Sequence, residues 1–304
     1  MNTQKSLSSR AWAELLLLST IWGGSFLSIR LALNEIGVFT SVAHRVGWAA
    51  LALWAFVAIK RLALPRSPHV WLAFFVMGLL NNVIPFTLMA WGQLHIETGL
   101  TSILNATTAI FGVVLAAVAF RDEQLTLRKA VGVTLGFLGV ATAMGLESLT
   151  RLDLRSVAQL AVVAGTFSYA CAGVWARKTL SDLPPQIAAA GMLTGSAAVM
   201  LPLAWIIEGP FTLNLSLVTW AAVGYYALIA TAFAYLLYYR VLAMAGSGNL
   251  MLCTLIIPPV AITLGAIVLN EDLTRQAYAG FALLALGLAI LDGRIIRALR
   301  RNSI

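Results

Sequence analysis

The quartet Glu123-Gln124-Leu125-Thr126, followed by Gly132, Gly139 and Gly145, recurs as Glu271-Asp272-Leu273-Thr274 followed by Gly280, Gly287 and Gly293, every pair 148 residues apart. In a chain of 304 residues that spacing makes the protein one half-length unit written twice, and a repeat of this kind governs the fold before any single residue does. The match reaches upstream, where Leu104 pairs with Leu252 at the same offset and Arg30 with Arg177 at an offset of 147. The two units divide the chain into residues 1–147 and 148–304.

The composition, 60% hydrophobic and 11% charged, cannot cover a water-facing surface, for which about 25% charged residues is typical. Apolar runs of about 20 residues, each able to cross the hydrocarbon core as a helix, recur along the whole chain. Ten are expected, with cores near residues 11–31, 40–60, 70–92, 98–119, 127–145, 156–178, 186–207, 216–238, 245–268 and 275–292. The chain is therefore expected to be an all-α integral membrane protein with no room for a soluble catalytic domain. The first run is longer than a signal-peptide core and has no small-residue cleavage pattern behind it. Cys171 and Cys253 both lie inside apolar runs, where packing thiols are expected rather than a disulfide.

Fifteen of the 20 basic residues fall in one alternate set of connections and termini, and only Arg151, Arg155 and Arg275 in the other. The net charge of +8 therefore sets orientation in a bilayer rather than nucleic-acid binding, and both termini are expected on the cytoplasmic side of an inner membrane. Five spans per unit then place the second unit upside down relative to the first. Such inverted repeats suit alternating access in secondary transporters.

The first helix reads Ile21-Trp22-Gly23-Gly24-Ser25-Phe26 and continues to Ile29-Arg30-Leu31-Ala32-Leu33, which resembles the first-helix signature of EamA-domain proteins. With the duplicated Glu-x-Leu-Thr and its glycines, residues 11–292 resemble the drug/metabolite transporter superfamily, and within it most nearly the YddG-type aromatic amino acid exporters. The resemblance implies a ten-helix basket with a substrate cavity lined by helices 1, 3, 4, 6, 8 and 9, and export of amino acids and related metabolites. Members of the superfamily often carry proline in the middle of the fourth helix as well as the ninth. Here Pro258 and Pro259 fall opposite Ile110 and Phe111, so no proline-driven kink is expected in the fourth helix.

Polar groups at membrane depth are costly unless they meet partners or water, which makes them candidates for transport. Asn81 and Asn82 sit at the centre of the third helix, just before Pro85, where they suit either substrate or interhelical hydrogen bonds. In the fourth helix Thr101, Asn105 and Thr108 share a face. Trp22 and Tyr169, equivalent at an offset of 147, lie deep in helices 1 and 6, whereas Tyr238, Tyr239, Trp71 and Trp220 suit interfacial anchors. Tyr226 belongs to an aromatic-rich eighth helix, and Pro258 frees backbone carbonyls in the ninth. Gly132/Gly136 and Gly191/Gly195 have the spacing of close helix contacts, within one chain or between chains. Glu123 and Glu271 each precede a new helix, where a carboxylate favours the N-terminus.

No Asp, Glu or Lys is placed near the middle of a span, and Glu14, Arg30, His44 and Arg45 are placed toward ends or on helix 2, outside the implied cavity wall. Transport without a buried proton carrier is therefore expected to be facilitative or weakly coupled. The chain holds no His-Glu-x-x-His, Gly-x-Ser-x-Gly or Cys/His cluster, and neither an enzyme, a cofactor nor a metal is expected. A scaffold or receptor would require neither inverted repeats nor a polar midplane. The reading is an exporter of neutral amino acids in a lipid bilayer, with a drug or other small-metabolite exporter of the same superfamily as the alternative.

Overall fold

In the computed structural model the described residues are 8–121, 126–144, 154–245 and 253–292, and among them every regular element is helical. Glu123, Gly145, Leu252 and Gly293 of the repeat, and the side chain of Tyr239, lie outside them. The helices are α1 (Ser9–Ala32), α2 (Val38–Ile59), α3 (Pro68–Gly92), α4 (Thr98–Ala119), α5 (Leu127–Met144), α6 (Leu154–Thr179) and α7 (Pro185–Glu208). Three follow: α8, assembled from Leu217–Gly224, Tyr225–Phe233 and Ala234–Ala245, α9 (Cys253–Leu269) and α10 (Arg275–Asp292).

Seven of these rods, α1 to α4 and α6 to α8, are long and apolar enough to cross a membrane. The other three are apolar with 17 or 18 described residues, about 25–27 Å at 1.5 Å per residue. Large side chains such as Ile59, Val118 and Ile206, each at least 78% exposed, line the outside of the assembly, as a lipid-facing surface requires.

Lipid offers apolar side chains no drive to leave it, so helices in a bilayer are held by close packing and internal polar contacts. The α5–α10 crossing shows how the repeat achieves this. A Cβ at Gly139 would lie 2.5 Å from the Leu284 backbone nitrogen, and one at Gly287 2.7 Å from that of Gly136. The glycines that mark the repeat thus face each other, backbone against backbone. Gly195 meets Phe75 of α3 in the same way, 2.8 Å from its Cα, so both glycine spacings serve contacts within the chain.

The described connections are tied by carboxylates at helix starts. The Glu208 carboxylate accepts from the backbone N–H groups of Phe39 (3.0 Å) and Thr40 (2.7 Å) at the start of α2, and Glu35 accepts from Ser216 N–H (2.9 Å) at the start of α8. Glu271 accepts from Thr98 N–H (3.0 Å) and Gly99 N–H (3.4 Å). It therefore caps the N-terminus of α4 rather than of the helix that follows it in sequence, where the expectation had put it. Four N–H groups at each helix start lack an intrahelical acceptor and carry partial positive charge, which is what these acids satisfy. Arg155 and Glu97 add a two-pronged pair at 3.0 and 2.8 Å. Elsewhere Glu14 of α1 pairs with Arg240 of α8 and with Arg10.

Two helices behave opposite to the proline pattern. Helix α4, without proline, breaks after Asn105 and resumes at Thr108. There Thr107 and Thr108 turn their hydroxyls back onto the carbonyls of Leu104 and Asn105, each at 2.8 Å, and such bonding bends helices. Helix α9 is unbroken through Pro258 and Pro259. Both cysteines are free thiols.

Candidate functional site

Two stretches of widened helical turn, Leu79–Val83 in α3 and Tyr225–Phe233 in α8, shape the interior. Widened turns mismatch the backbone ladder and recur at functional sites. In α3 the mismatch precedes Pro85, which has no N–H to give, and the Ser168 hydroxyl of α6 donates to the Leu80 carbonyl at 2.7 Å. The two stretches present equivalent faces, since Asn82 and Phe86 stand 149 residues before Thr231 and Tyr235, the offset that also separates the helix-start serines Ser67 and Ser216.

Asn81 and Asn82 head a relay in which each group donates to the next. Asn81 donates to the Tyr235 hydroxyl (2.9 Å), Tyr235 to the Asn82 carboxamide oxygen (3.3 Å), Asn82 to Ser196 (2.8 Å) and Ser196 to the Met192 carbonyl (2.9 Å). Asn82 and Ser196 are fully buried, whereas Asn81 is half-buried. Among the described residues no donor meets the Asn81 carboxamide oxygen. The relay joins α3, α7 and α8, so it ties the first half of the chain to the second, with an open acceptor at its head.

Arg45 enters the same interior from α2. It lies seven residues beyond Val38, about 10 Å along the helix, with its guanidinium 3.7 Å from the centre of the Phe86 ring and its Nε donating to the Thr231 hydroxyl at 3.0 Å. Tyr169, Tyr226 and Tyr235 are the titratable groups that face it. The sequence reading set Arg45 apart from the cavity wall, and the structure instead turns it inward. Its sequence signal was a cation inside an apolar run with no acid three or four residues away.

The remaining candidates divide. Tyr169 is half-buried with its ring 6.4 Å from Phe86, so it joins the Arg45 group. Tyr226 is fully buried and donates to the Ser41 carbonyl at 3.2 Å, in the packed core between α8 and α2. Trp22 donates from its indole to the Ala230 carbonyl (3.2 Å) and lies 6.0 Å from the Tyr238 ring, on the α1–α8 side. Gly24, next to it, lets the Tyr225 hydroxyl approach to 2.6 Å of where a Cβ would be. Thr101 is fully buried with its hydroxyl on the Glu97 carbonyl (3.1 Å), while half-buried Asn105 and Thr108 flank the α4 break, so the expected common face is interrupted. Pro258 is buried in α9. Thr107, which the sequence reading passed over, is fully buried against Thr166 of α6.

The EamA-like transporter family matches the chain twice, over residues 11–145 and 156–291. The chain belongs to this family. This EamA-like transporter is 26% identical over 287 residues to an uncharacterized transporter of Archaeoglobus fulgidus, covering 93% of this chain and 98% of that one. It is 25% identical over 299 residues to a probable terminal-alkyne amino-acid exporter of Streptantibioticus cattleyicolor, covering 98% of both chains. It is also 25% identical over 284 residues to a probable amino-acid metabolite efflux pump of Salmonella typhimurium, covering 90% of this chain and 92% of the relative. A crystal structure 16% identical in sequence superimposes with a TM-score of 0.67 over 93% of this chain and 97% of its own, a likeness of fold. The EamA-like transporter is thus a multi-pass membrane protein of the drug/metabolite transporter superfamily that moves small molecules.

Proposed function

We propose that this transporter exports neutral amino acids, aromatic ones included, across the inner membrane by alternating access of two five-helix halves, residues 1–147 and 148–304, inserted in opposite senses with both termini cytoplasmic. The observation that carries the reading is the open Asn81 end of the relay through Tyr235, Asn82 and Ser196, an acceptor for an α-ammonium group held at membrane depth by residues of both halves. An amide oxygen accepts such a group without a fixed negative charge, which fits a zwitterion better than a cationic drug. Two relatives named as an amino-acid exporter and an amino-acid metabolite efflux pump support it.

Helix partnership supports the two-half arrangement. The pairs α5–α10 and α2–α7 join equivalent helices, and α1–α9, α3–α7 and α3–α6 have their counterparts in α6–α4, α8–α2 and α8–α1. The other sequence-designated lining residues, Trp22, Thr101, Asn105, Thr108, Tyr169, Tyr226 and Pro258, belong to the proposal as wall and support of the pathway. The test is counterflow of labelled phenylalanine, tryptophan, threonine and methionine in proteoliposomes. Saturable flux that persists without a pH gradient and falls at least about tenfold in Asn82→Ala is the expected result. Flux no greater than in empty vesicles for all four would overturn the reading in favour of another small metabolite or drug.

A further inference from the structure

The guanidinium of Arg45 is bonded at one corner only. Of its five N–H donors, Nε is taken by Thr231, whose own proton goes to the Tyr226 carbonyl at 2.7 Å. The four N–H groups on Nη1 and Nη2 meet no acceptor among the described residues, and no described carboxylate pairs with the side chain. The side chain is half-buried within the helix assembly. Phe86 covers one face of the guanidinium plane, and the Nε bond holds the side chain's rotation. A cation at membrane depth normally finds a counter-charge or a water-filled path. What this one presents is a fixed planar fork whose two outer nitrogens match the two oxygens of a carboxylate.

We propose that Arg45 is the binding residue for the carboxylate of the transported molecule, with Phe86 beneath the guanidinium. The proposal rests on the amino-acid export reading and deepens it by assigning the substrate's second charge. It selects carboxylates and disfavours the corresponding amides and amines, because these leave the fork unfilled. A role confined to packing against Phe86 would be indifferent to that distinction.

The test is equilibrium binding to the purified full-length protein of four ligands sharing one ring: phenylalanine, 3-phenyllactate, phenylalaninamide and phenethylamine. For wild type, the two carboxylates bind at least about tenfold more tightly than the amide and the amine. In Arg45→Gln that ratio collapses toward one, and Arg45→Lys, with charge but no fork, lies between. Size-exclusion behaviour and Arg45→Lys separate loss of the site from loss of the fold. Equal binding of carboxylates and amide by wild type overturns the proposal. So does a ratio unchanged in Arg45→Gln, or the absence of binding by every carboxylate. If phenylalanine is not transported yet 3-phenyllactate binds in an Arg45-dependent way, the export reading falls and the arginine assignment stands.

Discussion

The hydroxyl oxygens of Thr107 and Thr166 lie 2.6 Å apart, both fully buried, at the point where α4 is interrupted against α6. Each hydroxyl also lies within reach of a carbonyl on its own helix, that of Leu104 at 2.8 Å and that of Val163 at 2.7 Å. Three short contacts compete for two protons, so one contact always lacks a hydrogen. Replacing either threonine by valine keeps the volume and leaves the surviving hydroxyl its own carbonyl. Each single variant is expected to cost about 0.5–1 kcal/mol, with a coupling energy of about 0.6 kcal/mol or less. A double-mutant cycle on unfolding in detergent measures both, and a coupling above about 2 kcal/mol would contradict the shared-proton account.

Glu271 ties the start of α10 to the start of α4, although the two helices are remote in sequence. Glu271→Ala removes both acceptors and is expected to cost about 1–2 kcal/mol, whereas Glu271→Gln keeps one acceptor without the charge and loses roughly half of that. Thermal unfolding midpoints of the two variants give the comparison. Equal midpoints for wild type and Glu271→Ala would remove the cap from the account of stability.

Outside the spans, the hydroxyl and then the backbone N–H of Ser216 hold the Glu35 carboxyl below its ordinary value of about 4.5. A lowered folded-state pKa stabilises the fold above the ordinary value, and that contribution disappears as pH falls through the folded value. The difference in melting temperature between wild type and Glu35→Gln should therefore be level from pH 7 to about 5 and shrink below about 4.5. A difference that grows on acidification would reverse the sign and refute the assignment.

Glycines at the α5–α10 crossing differ from glycines elsewhere in what a methyl group would meet. At Gly139 the new carbon would collide with backbone of α10, whereas at Gly173 of α6 nothing lies within 4 Å. Gly139→Ala is expected to destabilise by about 1–3 kcal/mol, and Gly173→Ala to be neutral or stabilising by up to about 1 kcal/mol. Parallel thermal unfolding of both variants decides the matter, and similar losses at the two positions would defeat the close-approach argument.

The helical class, and the placement of the seven helices long and apolar enough to cross a membrane, could be read from apolar runs, because a chain in lipid must satisfy its backbone within each helix. The expected cores at 11–31, 40–60 and 186–207 each fall inside or within a residue or so of Ser9–Ala32, Val38–Ile59 and Pro185–Glu208. The relay residues Asn81 and Asn82 were visible for the same reason, as amides where amides are costly. Tertiary relations were not visible. Nothing local tells Glu271 to cap α4, since that depends on α4 and α9 packing together. The α4 break has no proline to signal it; its cause is a Thr107-Thr108 pair bonding back onto its own helix. Arg45 was placed on helix 2, outside the implied cavity wall, and only the approach of Phe86 and Thr231 from other helices gives it a position in the interior.

The α5–α10 crossing has a reciprocal form: the contact of Gly280 with Gly139 has its equivalent, one repeat away, in the contact of Gly132 with Gly287. An isologous surface obeys this rule, in which the same patch serves as both partners. Each of the two matched segments therefore contributes the same glycine-lined patch, and the crossing is one packing pattern used twice. The seam is thus built as a two-fold homodimer interface is, with a glycine of one helix set against the backbone of the other at each of its ends.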